Sequence, residues 1–142
     1  MPGTPMMTYK FTNAIVRKPN KSINNALSSQ YLHPSYEKIL EIHDNYINSI
    51  QEAGLNIILL ESLEQYPDSI FVEDPALIFK NNIIVLNPSD ITRNGEAKII
   101  QNEISKYFEN IFVVEKGNIE GGDILNIDNH FIIGLSNRTN KL

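Results

Sequence analysis

Two short stretches concentrate the residues that could do chemistry. In Pro67-Asp-Ser-Ile-Phe-Val-Glu-Asp-Pro75, three acids, Asp68, Glu73 and Asp74, fall within seven residues, and Glu120-Gly-Gly-Asp123 adds two more. Pro75 biases Asp74 away from helix and toward a strand end. The paired glycines allow close backbone approach and leave the carboxylates unshielded. If Ser69 to Val72 is extended, side chains alternate, and Glu73 and Asp74 point to opposite faces unless the chain turns before Pro75. Converging carboxylates require a cation. A guanidinium suits them because its planar fork of donors meets two carboxylates and stays charged at neutral pH. Calcium and magnesium also take oxygen ligands. The spacing fits no EF-hand loop and lacks a paired-histidine motif, so no metal is expected. Solvated acids in turns would explain the same residues without a ligand.

Arg93 lies in a polar connection before a helical stretch, and Arg138 sits in Ser136-Asn-Arg-Thr-Asn140, just past a strand. Two arginines beside an acidic pocket would hold the carboxylate of an amino acid whose cationic end enters the acids. Each alone also fits an ordinary surface position. The three histidines are poor catalysts: His33 precedes a helix, His43 lies on its apolar face, and His130 follows a tight turn. None adjoins a nucleophile. There is no cysteine, which removes disulfides, thiolate metal sites and thiol catalysis from these residues.

At 142 residues the chain makes one domain at most. With 42% apolar and 20% charged residues it is globular in composition. A net charge of -5 without a Lys/Arg block disfavours nucleic acid as a partner. The longest apolar runs, such as Ile57 to Leu60, are too short for a membrane helix. Nothing at the N-terminus resembles a secretion signal, so a cytoplasmic location is expected.

The positioning elements follow from periodicity. Strands are expected at Lys10 to Val16 and Asn56 to Leu60, separated by a helix with Tyr36, Ile39, Leu40, His43, Tyr46, Ile47 and Ile50 on one face. Pro34 suits its first turn and Gly54 its stop. A repeat follows. Glu73, a strand at Ala76 to Phe79, an Asn81-Asn82 turn and a strand at Ile83 to Leu86 recur 47 positions on as Glu120, Ile124 to Ile127, Asp128-Asn129 and Phe131 to Leu135. In the first copy a helix capped near Asn94 and striped by Ile99, Ile100, Ile104, Tyr107 and Phe108 leads to a strand at Ile111 to Val114. The unit is hairpin, helix, strand, and the fold class is α/β. The second copy reaches position 142 where its helix would begin, so the sequence is expected to end in mid-repeat.

The Pro67 to Pro75 stretch, Glu120 to Asp123, and Gly134-Leu-Ser-Asn-Arg-Thr-Asn140 resemble, in order and spacing, the N-terminal half of the dimethylarginine dimethylaminohydrolases, in the guanidino-modifying pentein superfamily. The Glu-Gly-Gly-Asp element is shared with arginine deiminases and amidinotransferases, and the Pro67 element narrows the match. The resemblance implies a five-bladed α/β propeller, of which this sequence supplies about half as one partial domain over 11–142, with 1–10 a flexible N-terminus. It implies that Asp74 binds a substrate guanidinium and that Glu120 holds the guanidinium or orients a catalytic histidine. Asp68, Glu73 and Arg93 match substrate-binding positions, Arg138 the arginine holding the substrate carboxylate, and Leu27 a lid leucine. No cofactor is implied. The family's reaction converts methylated arginines to citrulline by way of a cysteine thiolate and a histidine in its C-terminal half. Those residues are not among the 142, so the chain is expected to be inactive alone, with a complementing C-terminal half or a second copy as partner. A non-catalytic module for arginine-like ligands and an arginine deiminase-like enzyme are the alternatives.

Overall fold

The computed structural model describes residues 11–27, 35–93, 95–127 and 130–140. The expected flexible segment 1–10, His33, Pro34, Asn94 and the Asp128-Asn129 turn lie outside the described residues.

Strand β1 (Asn13–Arg17) pairs in parallel with β2 (Asn56–Leu60), and the amphipathic helix α1 (Tyr36–Glu52) connects them. The Ser35 side chain caps α1 by accepting the Lys38 N–H at 3.2 Å. Gly54, at φ 89°, ends it in a conformation that a side chain would resist. His43 is buried on the inner face, as the periodicity required, whereas Tyr46 of the same stripe is 56% exposed.

A three-stranded sheet follows in the order β3 (Ala76–Phe79), β4 (Asn82–Val85), β5 (Asn110–Val113), antiparallel then parallel, with helix α2 (Glu96–Ile104) crossing between β4 and β5. Phe79 pairs with Asn82, so the turn is Lys80-Asn81 and not Asn81-Asn82, and Lys80 carries the positive φ of 55°. Asn82 instead supports the turn from within the strand by donating to the Phe79 carbonyl at 3.0 Å. Helix α2 ends at Ile104 and tightens into a 3₁₀ turn over Ser105–Tyr107, earlier than its stripe predicted. The second hairpin, β6 (Ile124–Ile127) with β7 (His130–Ile133), repeats the antiparallel pairing of β3 and β4.

The β1–β2 and β3–β4–β5 sheets meet on α2. Leu60, Ala76, Ile83, Val85, Ile100 and Ile104 form the core, with Ile15, Ile58, Val72 and Phe108 packed against it. An ion pair reinforces this seam, with its arginine buried and its glutamate half-buried: Arg17 Nη2 lies 2.5 Å from Glu103 Oε2 on α2, and its Nη1 donates to the Glu61 carbonyl at 2.7 Å. The α/β expectation holds. Among the described residues the strands form three separate sheets and no closed barrel.

Candidate functional site

The Pro67 to Val72 stretch is not extended. Phe71 N–H bonds to the Asp68 carbonyl at 3.0 Å and Asp74 N–H to the Phe71 carbonyl at 3.2 Å, so the chain advances through successive turns. Alternation therefore does not set where Glu73 and Asp74 point. The turns aim the Asp68 and Phe71 carbonyls at one side chain, Arg93. They also bury Asp68, whose carboxylate accepts the Leu27 N–H at 3.0 and 3.2 Å. Burial pushes the Asp68 carboxyl above its ordinary range, against the opposing pull of the Leu27 N–H and Arg93. Asn20, fully buried, ties the segment before Leu27 to this turn by donating to the Tyr66 carbonyl at 3.0 Å and to Ser69 Oγ at 3.1 Å. The Leu27 side chain itself is 55% exposed.

Arg93 is 4% exposed and almost fully engaged. Its Nε and Nη2 donate to the two oxygens of Glu96 at 3.2 and 2.7 Å, Nη2 also to the Phe71 carbonyl at 3.2 Å, and Nη1 to Asp74 Oδ2. Burial works against this charge, but the bonds and charges of Glu96 and Asp74 outweigh it and hold the guanidinium pKa above its usual value. Arg93 thus anchors Asp74 from beneath, while Arg138 meets a different carboxylate, Glu120. Glu96 lies outside the acidic motifs of the sequence. Its signal was the three-residue spacing from Arg93 at the start of a helix, where a carboxylate is also favoured by the helix dipole.

Glu120 is 2% exposed and reaches this cluster through its neighbour: Gly121 N–H donates to the Asp74 carbonyl at 3.1 Å. Asp74 and Gly121 are equivalent positions of the 47-residue repeat, so the two units touch at matching points. The contact needs a glycine, since a Cβ on Gly121 would lie 2.0 Å from the Glu73 carbonyl oxygen. Burial raises the Glu120 carboxyl above its ordinary range, as does the nearby charge of Asp74, while Arg138 and Arg93 pull it down. Arg138 Nη1 lies 2.9 Å from Glu120 Oε2 with a 56% exposed side chain. Its backbone is held by a small knot. Ser136 and Thr139 hydroxyls donate to Asp123 Oδ2 at 2.7 and 2.6 Å, and Thr139 Oγ1 accepts the Glu120 N–H at 3.2 Å. Those hydroxyls hold Asp123 below the usual carboxylate range. Thr139 belongs to the Ser136 to Asn140 stretch, and its hydroxyl is what ties that stretch to the Glu120 backbone and to Asp123.

The structure therefore brings Asp68, Asp74, Arg93, Glu120 and Arg138 into one bonded network. Glu73 is exposed beside it, contributing a backbone carbonyl to the Gly121 contact. Apolar grooves border this network. One of about 380 Å³ is lined by Ile15, Val72, Ala76, Ile100 and Ile124, with Glu73 and Gly121 on its border. Among the described residues no three His, Asp or Glu side chains assemble as a metal site. No described helix is long and apolar enough to cross a membrane.

Comparison with known proteins gives a consistent result. Residues 11–142 match the family model described as N,N dimethylarginine dimethylhydrolase, eukaryotic. An N(G),N(G)-dimethylarginine dimethylaminohydrolase of Pseudomonas aeruginosa is 38% identical over 133 residues, covering 92% of this chain and 52% of that protein. The Streptomyces coelicolor enzyme of the same name is 28% identical over 133 residues, covering 89% of this chain and 50% of its own length. The chain spans about half the length of the curated relatives it matches. A solved structure of the Pseudomonas aeruginosa protein, a cysteine-to-serine mutant complexed with citrulline, superposes with a TM-score of 0.88 over 93% of this chain and 53% of that one. The product-bound N-terminal domain of a cyanobacterial arginine dihydrolase, 16% identical, shares the fold over 82% of this chain and 45% of that one, with a TM-score of 0.70.

Proposed function

The chain belongs to the dimethylarginine dimethylaminohydrolase family, and from that premise we propose that its 142 residues form the substrate-recognition part of a methylarginine hydrolase. The reaction is addition of water to the guanidinium carbon of an N-ω-methylated arginine, releasing methylamine or dimethylamine and leaving citrulline. Asp74 and Glu120 take the guanidinium, Arg138 takes the α-carboxylate, and the Leu27 segment covers the bound molecule. Asp68, Glu73 and Arg93 shape the site, Arg93 by fixing Asp74. The observation that carries this reading is the join of Gly121 to Asp74 at 3.1 Å, which sets a deeply buried Glu120 beside a second carboxylate.

Hydrolysis in this chemistry runs through a cysteine thiolate, and none of the 142 residues is a cysteine. The chain by itself therefore binds methylarginines without turning them over, and a complementing half that brings the nucleophile and a histidine restores turnover. The arrangement supports a pentein propeller in which this chain contributes successive blades. Its exposed apolar side chains, including Phe112 on β5 and Leu125 and Ile132 on the second hairpin, are suited to such a partner.

Calorimetric titration with asymmetric dimethylarginine tests the proposal. Binding should be measurable and should weaken roughly 10- to 100-fold in Asp74→Asn and in Glu120→Gln, as expected for one lost charge-assisted contact. Absence of binding at millimolar ligand, or citrulline formation by the chain alone, would overturn it.

A further inference from the structure

We propose that Arg138 is an exchangeable counter-ion that makes Glu120 selective for ligands carrying a guanidinium and a carboxylate together. The inference rests on the function proposed above and adds the way selectivity arises. The two carboxylates assigned to the headgroup are neutralised in different ways. Asp74 is paired with an arginine that is 4% exposed and clamped by both oxygens of Glu96, so that partner cannot leave. Glu120 is paired with an arginine that is 56% exposed and whose guanidinium, among the described residues, is held by Glu120 alone. The Arg138 side chain is free to swing while its root is fixed: its N–H bonds to Ser136 Oγ at 3.0 Å, Ser136 N–H to the Thr139 carbonyl at 2.9 Å, and Asn140 N–H to the Asn118 carbonyl at 3.0 Å.

The guanidinium of Arg138 thus holds the carboxylate that the ligand's own guanidinium needs. A bare guanidinium ligand must push Arg138 into solvent and merely replaces one cation on Glu120 by another. A free amino acid does more: its α-carboxylate gives the displaced Arg138 a new anion, so both charges stay paired after the exchange. Buried Glu120 is destabilised without a cation, so the exchange is concerted with ligand entry. Arginine within a peptide, whose α-carboxylate is consumed in the amide bond, is rejected for the same reason as the bare headgroup.

The test compares 1,1-dimethylguanidine with asymmetric dimethylarginine on the 142-residue chain, as wild type, Arg138→Gln and Arg138→Lys, with circular dichroism to check folding. In Arg138→Gln the competitor is gone, so dimethylguanidine should bind several-fold tighter while dimethylarginine binds at least 10-fold weaker. Arg138→Lys keeps a cation on Glu120 and should leave dimethylguanidine within about twofold of wild type. A second readout needs no ligand. The Glu120 carboxyl, followed by NMR, should titrate at higher pH in Arg138→Gln, because Asp74 and Asp123 still repel its charge and only Arg93 remains to favour it. Dimethylguanidine affinity unchanged or weakened in Arg138→Gln, with dimethylarginine still bound by wild type, would overturn the exchange and leave the proposed function standing. Failure of wild type to bind either ligand would overturn both.

Discussion

Gly121→Ala places the whole site reading at risk with one methyl group. A Cβ built on Gly121 would lie 2.0 Å from the Glu73 carbonyl oxygen, 2.8 Å from its carbon and 3.3 Å from Asp74 Cα. These are backbone atoms at the root of β3, so no rotamer change relieves the clash. The Glu120 loop must move away by more than an ångström, and the Gly121 to Asp74 hydrogen bond of 3.1 Å must break. Losing the bond costs about 1 kcal/mol, and overpacking adds about 1–3 kcal/mol. For a chain of this size about 3 °C of melting temperature is lost per kcal/mol, so thermal unfolding followed by circular dichroism should fall by roughly 6–12 °C. Gly122→Ala is the control: its Cβ would meet Asp74 Oδ1 at 3.6 Å, an ordinary contact, and neither stability nor ligand affinity should change by more than about 1 kcal/mol. Dimethylarginine binding should vanish in the first variant and survive in the second. If Gly121→Ala melts and binds like wild type, Glu120 and Asp74 do not depend on each other for position and the reasoning fails.

Two further perturbations probe the supports. Burial lowers the His43 pKa from the usual 6.5, against a hydrogen bond to the Arg17 backbone and the Asp44 charge, and His43 Nε2 is buried without a partner. The folded chain binds fewer protons here than the unfolded one, so stability falls as pH drops below the unfolded value of about 6.5. His43→Leu should flatten that part of a urea-denaturation profile; an unchanged slope between pH 7 and pH 5 would refute it. Asp123 has the same sign at lower pH. Its carboxyl is held down by the Thr139 and Ser136 hydroxyls, so it stabilises the fold above the unfolded value of 3.8 and loses that contribution as pH falls through its depressed folded value. Asp123→Asn should cost about 1–2 kcal/mol at neutral pH and weaken dimethylarginine binding through the Arg138 loop. The stability difference from wild type should disappear in strong acid.

The fold was legible where the deciding information is local. Strands Asn56–Leu60, Ala76–Phe79 and Ile124–Ile127 stand where short apolar runs and flanking Asn or Gly placed them. The errors are of another kind. Lys80 occupies the positive-φ turn position although asparagine is the usual choice, because the Phe79 to Asn82 register leaves Asn82 inside β4. The Pro67 to Val72 stretch has strand composition in Ile70, Phe71 and Val72, yet it turns repeatedly because the Asp68 and Phe71 carbonyls face a buried guanidinium from far along the chain. Propensity cannot register a partner 22 residues away.

The same limit explains what could and could not be read of the site. Acids were recognisable because their spacing recurs with the repeat, and the Gly121 to Asp74 bond joins equivalent points of the two copies. The arginines were not separable in the sequence: both sit in polar connections, and nothing near Arg93 announces that it is buried. Their difference comes from packing. Glu96, one helical turn from Arg93, locks that guanidinium under Asp74, whereas Arg138 projects from a hydroxyl-tied loop into solvent and touches Glu120 from outside. Five carboxylates, Asp68, Asp74, Glu96, Glu120 and Asp123, surround the two guanidinium groups of the network, Arg93 and Arg138, with Arg17 acting on Glu96 from outside it, so the cluster keeps an excess of negative charge. A third guanidinium relieves that excess wherever it can reach both Asp74 and Glu120. On the function proposed here, the fixed arginine determines where it lands, and the movable one determines what else the incoming molecule must carry.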